Sequence, residues 1–93
     1  MSVAVVARRL VVSGRVQGVG FRATTRSIAA GFNVTGFVRN QRDGTVLCVV
    51  EGERDEIDRF IHAVRQAMEG GIANVDSAES AATGEFEGFG IRR

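Results

Sequence analysis

The sequence predicts an α+β fold in which two helices cover one face of an antiparallel sheet. β-prone and helical segments follow one another in the order strand, helix, strand, strand, helix, strand. Residues 55–68 have the three-four spacing of apolar side chains that is typical of an amphipathic helix. An Asp-Gly pair lies between two apolar segments, as in many β-hairpins. These observations predict a split βαβ arrangement, βαββαβ, with one short terminal strand added.

The first half of the chain supplies a strand, a helix and a hairpin. Residues 3–13 are rich in Val and Leu and predict a strand, and the glycine-rich residues 14–20 predict a loop. A helix is expected at residues 21–30, ended by Gly31. Strands at 32–40 and 45–51 form the hairpin around Asp43-Gly44.

The second half supplies the other helix and the remaining strands. Acidic residues at the start of the 55–68 helix suit the helix dipole, and Gly70 and Gly71 end it. A weaker strand is expected at residues 72–80, a turn at 82–84 and a last strand at 85–93. Right-handed crossovers would place the two helices side by side.

Length and composition predict one globular domain over residues 1–93. Apolar residues make up 44% and charged residues 25%, which is ordinary for a soluble protein. A net charge of +1 and the lack of a long apolar run argue against a nucleic acid or a membrane as partner. With Cys48 as the single cysteine, no intramolecular disulfide can form, which fits a cytoplasmic location.

The loop at residues 14–22 is the first candidate for chemistry. Its residues are Gly-Arg-Val-Gln-Gly-Val-Gly-Phe-Arg. Glycines let successive N–H groups converge, and the start of the following helix offers further donors and the positive end of a dipole. Arg22 lies in the first helical turn, from which it could reach a bound phosphate. From these residues alone, an anion-binding loop and a tight turn with a surface arginine both remain open.

Two motifs resemble those of the acylphosphatase family. The first is the 14–22 loop, and the second is Gly-Phe-Val-Arg-Asn at residues 36–40, followed by Asp-Gly-Thr-Val at 43–46 and Glu-Gly at 51–52. Weaker similarity extends to Ile91, so that the resemblance covers nearly the whole chain. It implies a ferredoxin-like fold and hydrolysis of acyl phosphates. The length of 93 residues favours a stand-alone enzyme, which is expected to be a monomer with no cofactor. The absence of a carboxylate cluster or a His pair argues against a catalytic metal.

The resemblance also implies roles for particular residues. Arg22 would bind the phosphoryl group, and Asn40 would orient the attacking water. Backbone amides of the loop would hold the phosphoryl oxygens, at Gln17, Gly18, Val19, Gly20 and Phe21. The chain departs from the family pattern at Ala23-Thr24, where a larger side chain is usual, and at Gly70-Gly71, where Gly-Pro is common.

Other candidates have simpler interpretations. His62 has no partner at ligand spacing and is expected at the surface, and Cys48 is expected in the core. The arginines near the two ends are expected to be solvated charges: Arg8, Arg9, Arg92 and Arg93. The alternative functions are a domain that binds acyl or carbamoyl phosphate without hydrolysis, as in hydrogenase-maturation carbamoyltransferases, and, more distantly, an RNA-binding domain of the same topology.

Overall fold

The fold is described by a computed structural model that covers residues 4–93, so Val3 of the first predicted strand lies outside the described residues. The elements in chain order are β1 (Val5–Gly14), α1 (Phe21–Ala29), β2 (Val34–Asn40), β3 (Val46–Glu53), α2 (Arg54–Ala67), β4 (Ile72–Ala81) and β5 (Phe89–Arg92). The strands form one sheet in the order β4-β1-β3-β2-β5. The predicted α+β class and the βαββαβ order with a terminal strand are confirmed.

The sheet is antiparallel except at one edge. β1 pairs antiparallel with β3 and β4, and β2 pairs antiparallel with β3. β5 instead runs parallel to β2, with Val38 opposite Ile91. The chain reverses after β4 and crosses to the far edge of the sheet, so that it arrives parallel to β2. The prediction of an antiparallel sheet therefore holds for four strands, and β5 is the exception.

Most elements begin and end within two residues of their predicted limits. The last strand is the exception, because it was predicted at residues 85–93 but spans Phe89–Arg92, so the prediction for its first four residues is wrong. Two details of β1 and β4 are informative. β1 continues through Gly14, where the pairing with β4 shifts by a bulge. Gly14 has φ 120°, and a Cβ there would lie 2.4 Å from the carbonyl oxygen of Gly71. β4 is ten residues long although most of its side chains are exposed. Its backbone pairing with β1, rather than burial, holds β4 in place, and this explains its weak apolar pattern.

The core lies between the sheet and the two helices. Val38, Val46 and Val50 of the central strands are fully buried. Ile57, Phe60 and Val64 of α2 pack against them, which confirms the predicted apolar face of that helix. The ring of Phe60 contacts Phe89 of β5, with ring centres 5.6 Å apart.

Arg8 was expected to be a solvated charge, and the structure corrects this. Arg8 lies on the inner face of β1, between Val6 and Leu10, with its side chain 12% exposed. Its guanidinium pairs with Asp58 of α2 and, at 3.1 Å, with Glu79 of β4. Glu79 also accepts hydrogen bonds from Arg54. This ion-pair network joins β1, β4 and α2.

Glu51 of β3 fixes the connection between β4 and β5. Its carboxylate is buried and accepts three hydrogen bonds at 2.9 Å, from the N–H and hydroxyl of Thr83 and from the N–H of Gly84. Burial alone would raise the pKa of this carboxyl, but the three hydrogen bonds outweigh it and the pKa is lowered. Glu51 thereby sets the path by which the chain reaches β5.

Within residues 4–93, neither helix has the combination of length and apolar character needed to cross a membrane.

Candidate functional site

The 14–22 loop, the end of β2 and the end of β5 meet around a surface cleft of about 320 Å³. The residues that line it are Val16, Gly18, Gly20, Phe21, Arg22, Ala23, Asn40, Ile91 and Arg93. Arg22 and Asn40 are 18 residues apart in the sequence (40 − 22), yet they share this cleft. The folding of β2 against α1 therefore brings together the two side chains that the sequence singled out.

The loop is shaped by one buried side chain and two glycines. Val16 is 1% exposed and anchors the loop in the core. Gly18 and Gly20 have φ of 75° and 79°, in the left-handed region that L-residues avoid. A Cβ at either position would meet no atom within 4 Å. Glycine is therefore required here by the backbone conformation rather than by a lack of space.

The backbone of this loop leaves a run of donors unpaired. Across residues 4–93, the N–H groups of residues 16–23 donate to no backbone or side-chain acceptor, whereas the flanking N–H groups of Arg15 and Thr24 bond to Gly71 and Gly20. Successive unpaired N–H groups that alternate with left-handed residues form the kind of concavity that binds anions. The amides of Gln17 to Phe21 belong to this run, and the amides of Arg22 and Ala23 extend it.

The start of α1 is unusual in having no anionic group of its own. Its N-cap is Gly20, which offers no side chain, and its first turn contains no Asp or Glu. In contrast, α2 has Asp55 and Glu56 in its first turn. A helix start carries a partial positive charge that favours an anion. In α1 no carboxylate of the first turn meets that charge.

Arg22 adds a full positive charge beside these donors. It is partly buried in the first turn of α1, and within the described residues it forms an ion pair with no carboxylate. A guanidinium presents a planar pair of donors that matches two oxygens of a phosphoryl group. Arg22 is therefore free to bind an anion held by the loop.

Asn40 is the last residue of β2 and lies on the same face as the fully buried Val38. Its side-chain oxygen is buried and accepts no hydrogen bond from residues 4–93. An unpaired buried oxygen costs about 1–3 kcal/mol. Such a cost marks a group whose partner comes from elsewhere, and Asn40 lines the cleft from which such a partner would approach.

The loop is tied to the turn after Asn40 by a single side chain. The Nε2 of Gln17 donates to the carbonyl oxygens of Gln41, at 2.7 Å, and Thr45, at 2.8 Å. The turn has its own internal bonds as well, and those from the Thr45 hydroxyl and N–H to Asp43 lower the pKa of the Asp43 carboxyl. The Gln17 side chain is thus engaged away from the unpaired N–H groups.

Comparison with known proteins shows which family the chain belongs to. The family model described as acylphosphatase matches residues 8–91. The chain belongs to the acylphosphatase family. It is 45% identical over 83 residues to the acylphosphatase of Salinibacter ruber, covering 88% of this chain and 87% of that protein.

Solved structures of similar proteins have the same fold. The crystal structure of acylphosphatase from Bacillus subtilis superposes with a TM-score of 0.87 at 30% identity, covering 95% of this chain and 99% of that one. Full-length HypF, in its phosphate- and nucleotide-bound form, superposes with a TM-score of 0.85 at 28% identity. All of this chain is matched, but only 12% of HypF.

Two cleft residues of this acylphosphatase family member were missed by sequence reasoning. Arg93 was expected to be solvated, and Ile91 was considered only as part of a strand, but both line the cleft. Side chains at 89, 91 and 93 point to one face of β5, and those at 90 and 92 point to the other. Because Ile91 pairs with Val38 in the parallel ladder, the side chains at 91 and 93 lie on the same face as Asn40. The alternation is visible in the sequence, whereas the partner strand is not. Arg92, on the other face, lies 4.1 Å from the centre of the Phe37 ring and is likewise not simply solvated.

The charged side chains that line the site are all arginines. A second cleft, of about 510 Å³, adjoins the first through Asn40 and Arg93 and is also lined by Arg39, Gln41 and Arg42. Of the Asp and Glu residues in the described part of the chain, none lines either cleft. Among residues 4–93, none of these arginines takes part in an ion pair with a carboxylate. The site therefore presents a positive surface to an approaching anion.

The remaining candidates lie away from this chemistry. Over residues 4–93, no three or more His, Cys, Asp or Glu side chains are grouped so as to hold a metal ion. His62 is exposed on α2, as predicted. Cys48 is buried in β3, as predicted, and burial raises the pKa of its thiol to about 12. Such a thiol is not a nucleophile near neutral pH.

Proposed function

We propose that this protein is an acylphosphatase that hydrolyses the carboxyl-phosphate bond of acyl phosphates to a carboxylate and inorganic phosphate, without a metal ion. The observation that carries the proposal is the meeting of Arg22, the unpaired loop N–H groups and Asn40 in one cleft of an acylphosphatase family member. We further propose that it acts as a monomer on a small-molecule substrate.

In this proposal the loop and Arg22 bind the phosphoryl group. The N–H groups from Gln17 to Phe21 donate to its oxygens, and the guanidinium of Arg22 meets two of them at once. Phosphoryl transfer has a loose transition state with charge spread over the three equatorial oxygens. Donors that are already in position stabilise that charge without reorganising during the reaction.

In this proposal Asn40 positions the attacking water. Its buried side-chain oxygen has no donor among residues 4–93, and a water that donates to it would satisfy that oxygen. The same water would then face the phosphorus from the cleft side. The water oxygen forms a bond to phosphorus while the bond between phosphorus and the acyl oxygen breaks. The leaving carboxylate is a weak base, so it needs no general acid, and the proton of the water passes to the phosphate itself.

The second candidate is a domain that binds acyl or carbamoyl phosphate without hydrolysing it. The observation in its favour is the match to HypF, in which the corresponding region is a small part of a much longer chain. Binding needs the loop and Arg22, but hydrolysis also needs the positioned water. The two candidates therefore differ in turnover and not in phosphate affinity.

A direct assay separates the two candidates. Purified protein is given benzoyl phosphate, acetyl phosphate and carbamoyl phosphate in separate reactions with EDTA, and phosphate release is followed against a buffer control. The acylphosphatase proposal predicts saturable hydrolysis that EDTA leaves unchanged. Phosphate binding without turnover would support the binding module. Turnover that EDTA abolishes would overturn the metal-free part of the proposal.

A further inference from the structure

We propose that the side chain of Gln17 is a positioning residue, which holds the anion-binding loop in register with Asn40 so that the bound phosphoryl group and the attacking water align. This inference rests on the proposed function and concerns a contact outside the phosphate-binding groups themselves. It assigns to the Gln17 side chain a role separate from that of the Gln17 backbone N–H.

Both hydrogens of one nitrogen are used in this contact. The Nε2 of Gln17 donates to the carbonyl oxygens of Gln41 and Thr45, at 2.7 and 2.8 Å. These distances are at the short end of the range for N–H donors. The two acceptors are 24 and 28 residues away in the sequence, so the contact joins distant parts of the chain.

The turn at residues 41–45, which accepts these two hydrogen bonds, does not need Gln17 to hold its shape. The N–H of Gln41 donates to Thr45 at 2.8 Å, and the N–H of Gly44 donates to Gln41 at 3.2 Å. Asp43 also accepts from the N–H and hydroxyl of Thr45. The turn is therefore held by its own hydrogen bonds, and the Gln17 side chain instead links the turn to the 14–22 loop.

No other hydrogen bond in the described chain makes that link. Within residues 4–93, Gln17 alone connects residues 15–20 with residues 41–45 by hydrogen bonds. Asn40 immediately precedes Gln41, so the link acts one residue from the side chain that would orient the water. The Gln17 amide thus adds a direct link between the loop and the turn beside Asn40, in addition to the pairing of Asn40 with Val46 in the sheet.

Positioning of this kind has a large effect on rate and a small effect on binding. A displacement of about 1 Å in a catalytic arrangement can cost about a hundredfold in rate. Loss of the Gln17 link would let the turn and Asn40 move relative to the loop. The N–H groups and Arg22 that bind phosphate would stay on the loop and helix. The structure therefore points to a loss in kcat with phosphate affinity retained.

An amide is required at this position because both acceptors are carbonyl oxygens. Gln17→Met keeps the length of the side chain but removes both donors. Gln17→Glu replaces the donors by carboxylate oxygens, which repel the two carbonyl oxygens. The loss in kcat should therefore be larger for Gln17→Glu than for Gln17→Met.

The test measures kcat and KM for benzoyl phosphate, and the inhibition constant of inorganic phosphate, in wild-type, Gln17→Met and Gln17→Glu proteins. Gln66→Met, the same change on the exposed face of α2, is the matched control. We expect kcat of Gln17→Met to fall by about ten- to a hundredfold, with the phosphate inhibition constant within about threefold of wild type. The control should keep wild-type values.

Each other outcome has a defined meaning. No turnover by the wild type would refute the proposed function, and the inference that rests on it would fall with it. Wild-type turnover with an unchanged kcat in Gln17→Met would overturn the inference alone. An equal loss of kcat and phosphate affinity, or a Gln17→Met protein that is unfolded by circular dichroism, would assign Gln17 to binding or to the fold and also overturn it. In the wild type, the Gln17 side-chain amide protons should exchange slowly with solvent, and fast exchange would contradict the geometry.

Discussion

Two buried oxygens without partners have different meanings in this molecule. The side-chain oxygen of Asn40 is buried, but Asn40 itself lines the cleft, beside which a water or substrate would bind. The hydroxyl of Thr25 is also unpaired among residues 4–93, but Thr25 is 1% exposed and packs in the core with Phe21 and Phe60. A ligand cannot satisfy the Thr25 hydroxyl. We therefore interpret Asn40 as functional and Thr25 as a cost to stability.

This distinction predicts that Thr25→Val stabilises the protein. The change replaces an unpaired hydroxyl by a methyl group of the same shape, and the free energy of unfolding should rise by about 1 kcal/mol. The same change at Thr83 removes the hydroxyl that donates to Glu51 and should instead lower the free energy of unfolding by about 1–3 kcal/mol. Urea unfolding of both variants checks the signs. A destabilised Thr25→Val protein would mean that the hydroxyl has a partner.

Strands and helices in this protein are joined by charges as well as by the core. Glu79 of β4 pairs with Arg54 of α2 and with Arg8 of β1. Hydrogen bonds from Arg54 and Arg8 lower the pKa of the Glu79 carboxyl from its ordinary 4.5 to about 2. A carboxyl whose pKa is lowered by folding stabilises the folded state above its unfolded pKa. That contribution is lost as the pH falls toward 2.

The network therefore predicts a pH-dependent effect of Glu79→Gln. At pH 7 the variant should unfold at a lower urea concentration than the wild type. The difference should shrink as the pH falls from 4.5 to about 2, because the wild-type carboxylate becomes protonated over that range. Urea midpoints for both proteins at a series of pH values provide the measurement. A difference that stays constant with pH would exclude ionisation of Glu79 as its source.

Local patterns were sufficient to predict most elements, whereas the roles of Arg22 and Asn40 come from the resemblance to a family and stay predictions. The spacing in α2, the Asp-Gly turn and the glycine loop each depend on residues close in the sequence, and all were found. The inward position of Arg8 follows from its alternation with the apolar Val6 and Leu10, which is itself a local pattern. The parallel pairing of β5, the contact of Gln17 with the turn, and the approach of Arg93 to Asn40 depend on register between distant segments. A local sequence pattern does not predict which distant segments pair, or in which register.

Charge is distributed unevenly over the whole molecule despite a net charge of +1. The first 42 residues contain seven arginines and no acidic residue, and all eleven acidic residues lie between Asp43 and Glu87. β2 and β3 pair so that Asn40 is opposite Val46 at one end and Val34 is opposite Gly52 at the other. Four arginines line the clefts at the first end, whereas Glu53, Asp55 and Glu56 lie just beyond the second. Both clefts therefore lie at the positive end of the molecule.

This asymmetry predicts that KM for benzoyl phosphate rises with salt. The Debye length falls from about 30 Å at 0.01 M to about 10 Å at 0.1 M salt, so the attraction weakens, and we expect KM to rise several-fold with little change in kcat. Arg42→Gln should reduce the salt dependence, whereas Arg59→Gln on α2 removes the same charge far from the clefts and should not. Steady-state rates at several salt concentrations measure this. A KM independent of salt would show that the positive end does not attract the substrate.

The central claim is a division of roles between Arg22, which binds the phosphoryl group, and Asn40, which orients water. The most direct measurement compares kcat for benzoyl phosphate with the inhibition constant of inorganic phosphate in Arg22→Ala and Asn40→Ala proteins. We expect Arg22→Ala to weaken phosphate inhibition and to lower kcat/KM strongly. Asn40→Ala should lower kcat by about a hundredfold or more and leave phosphate inhibition close to wild type. Near-wild-type rates in both variants would contradict the account.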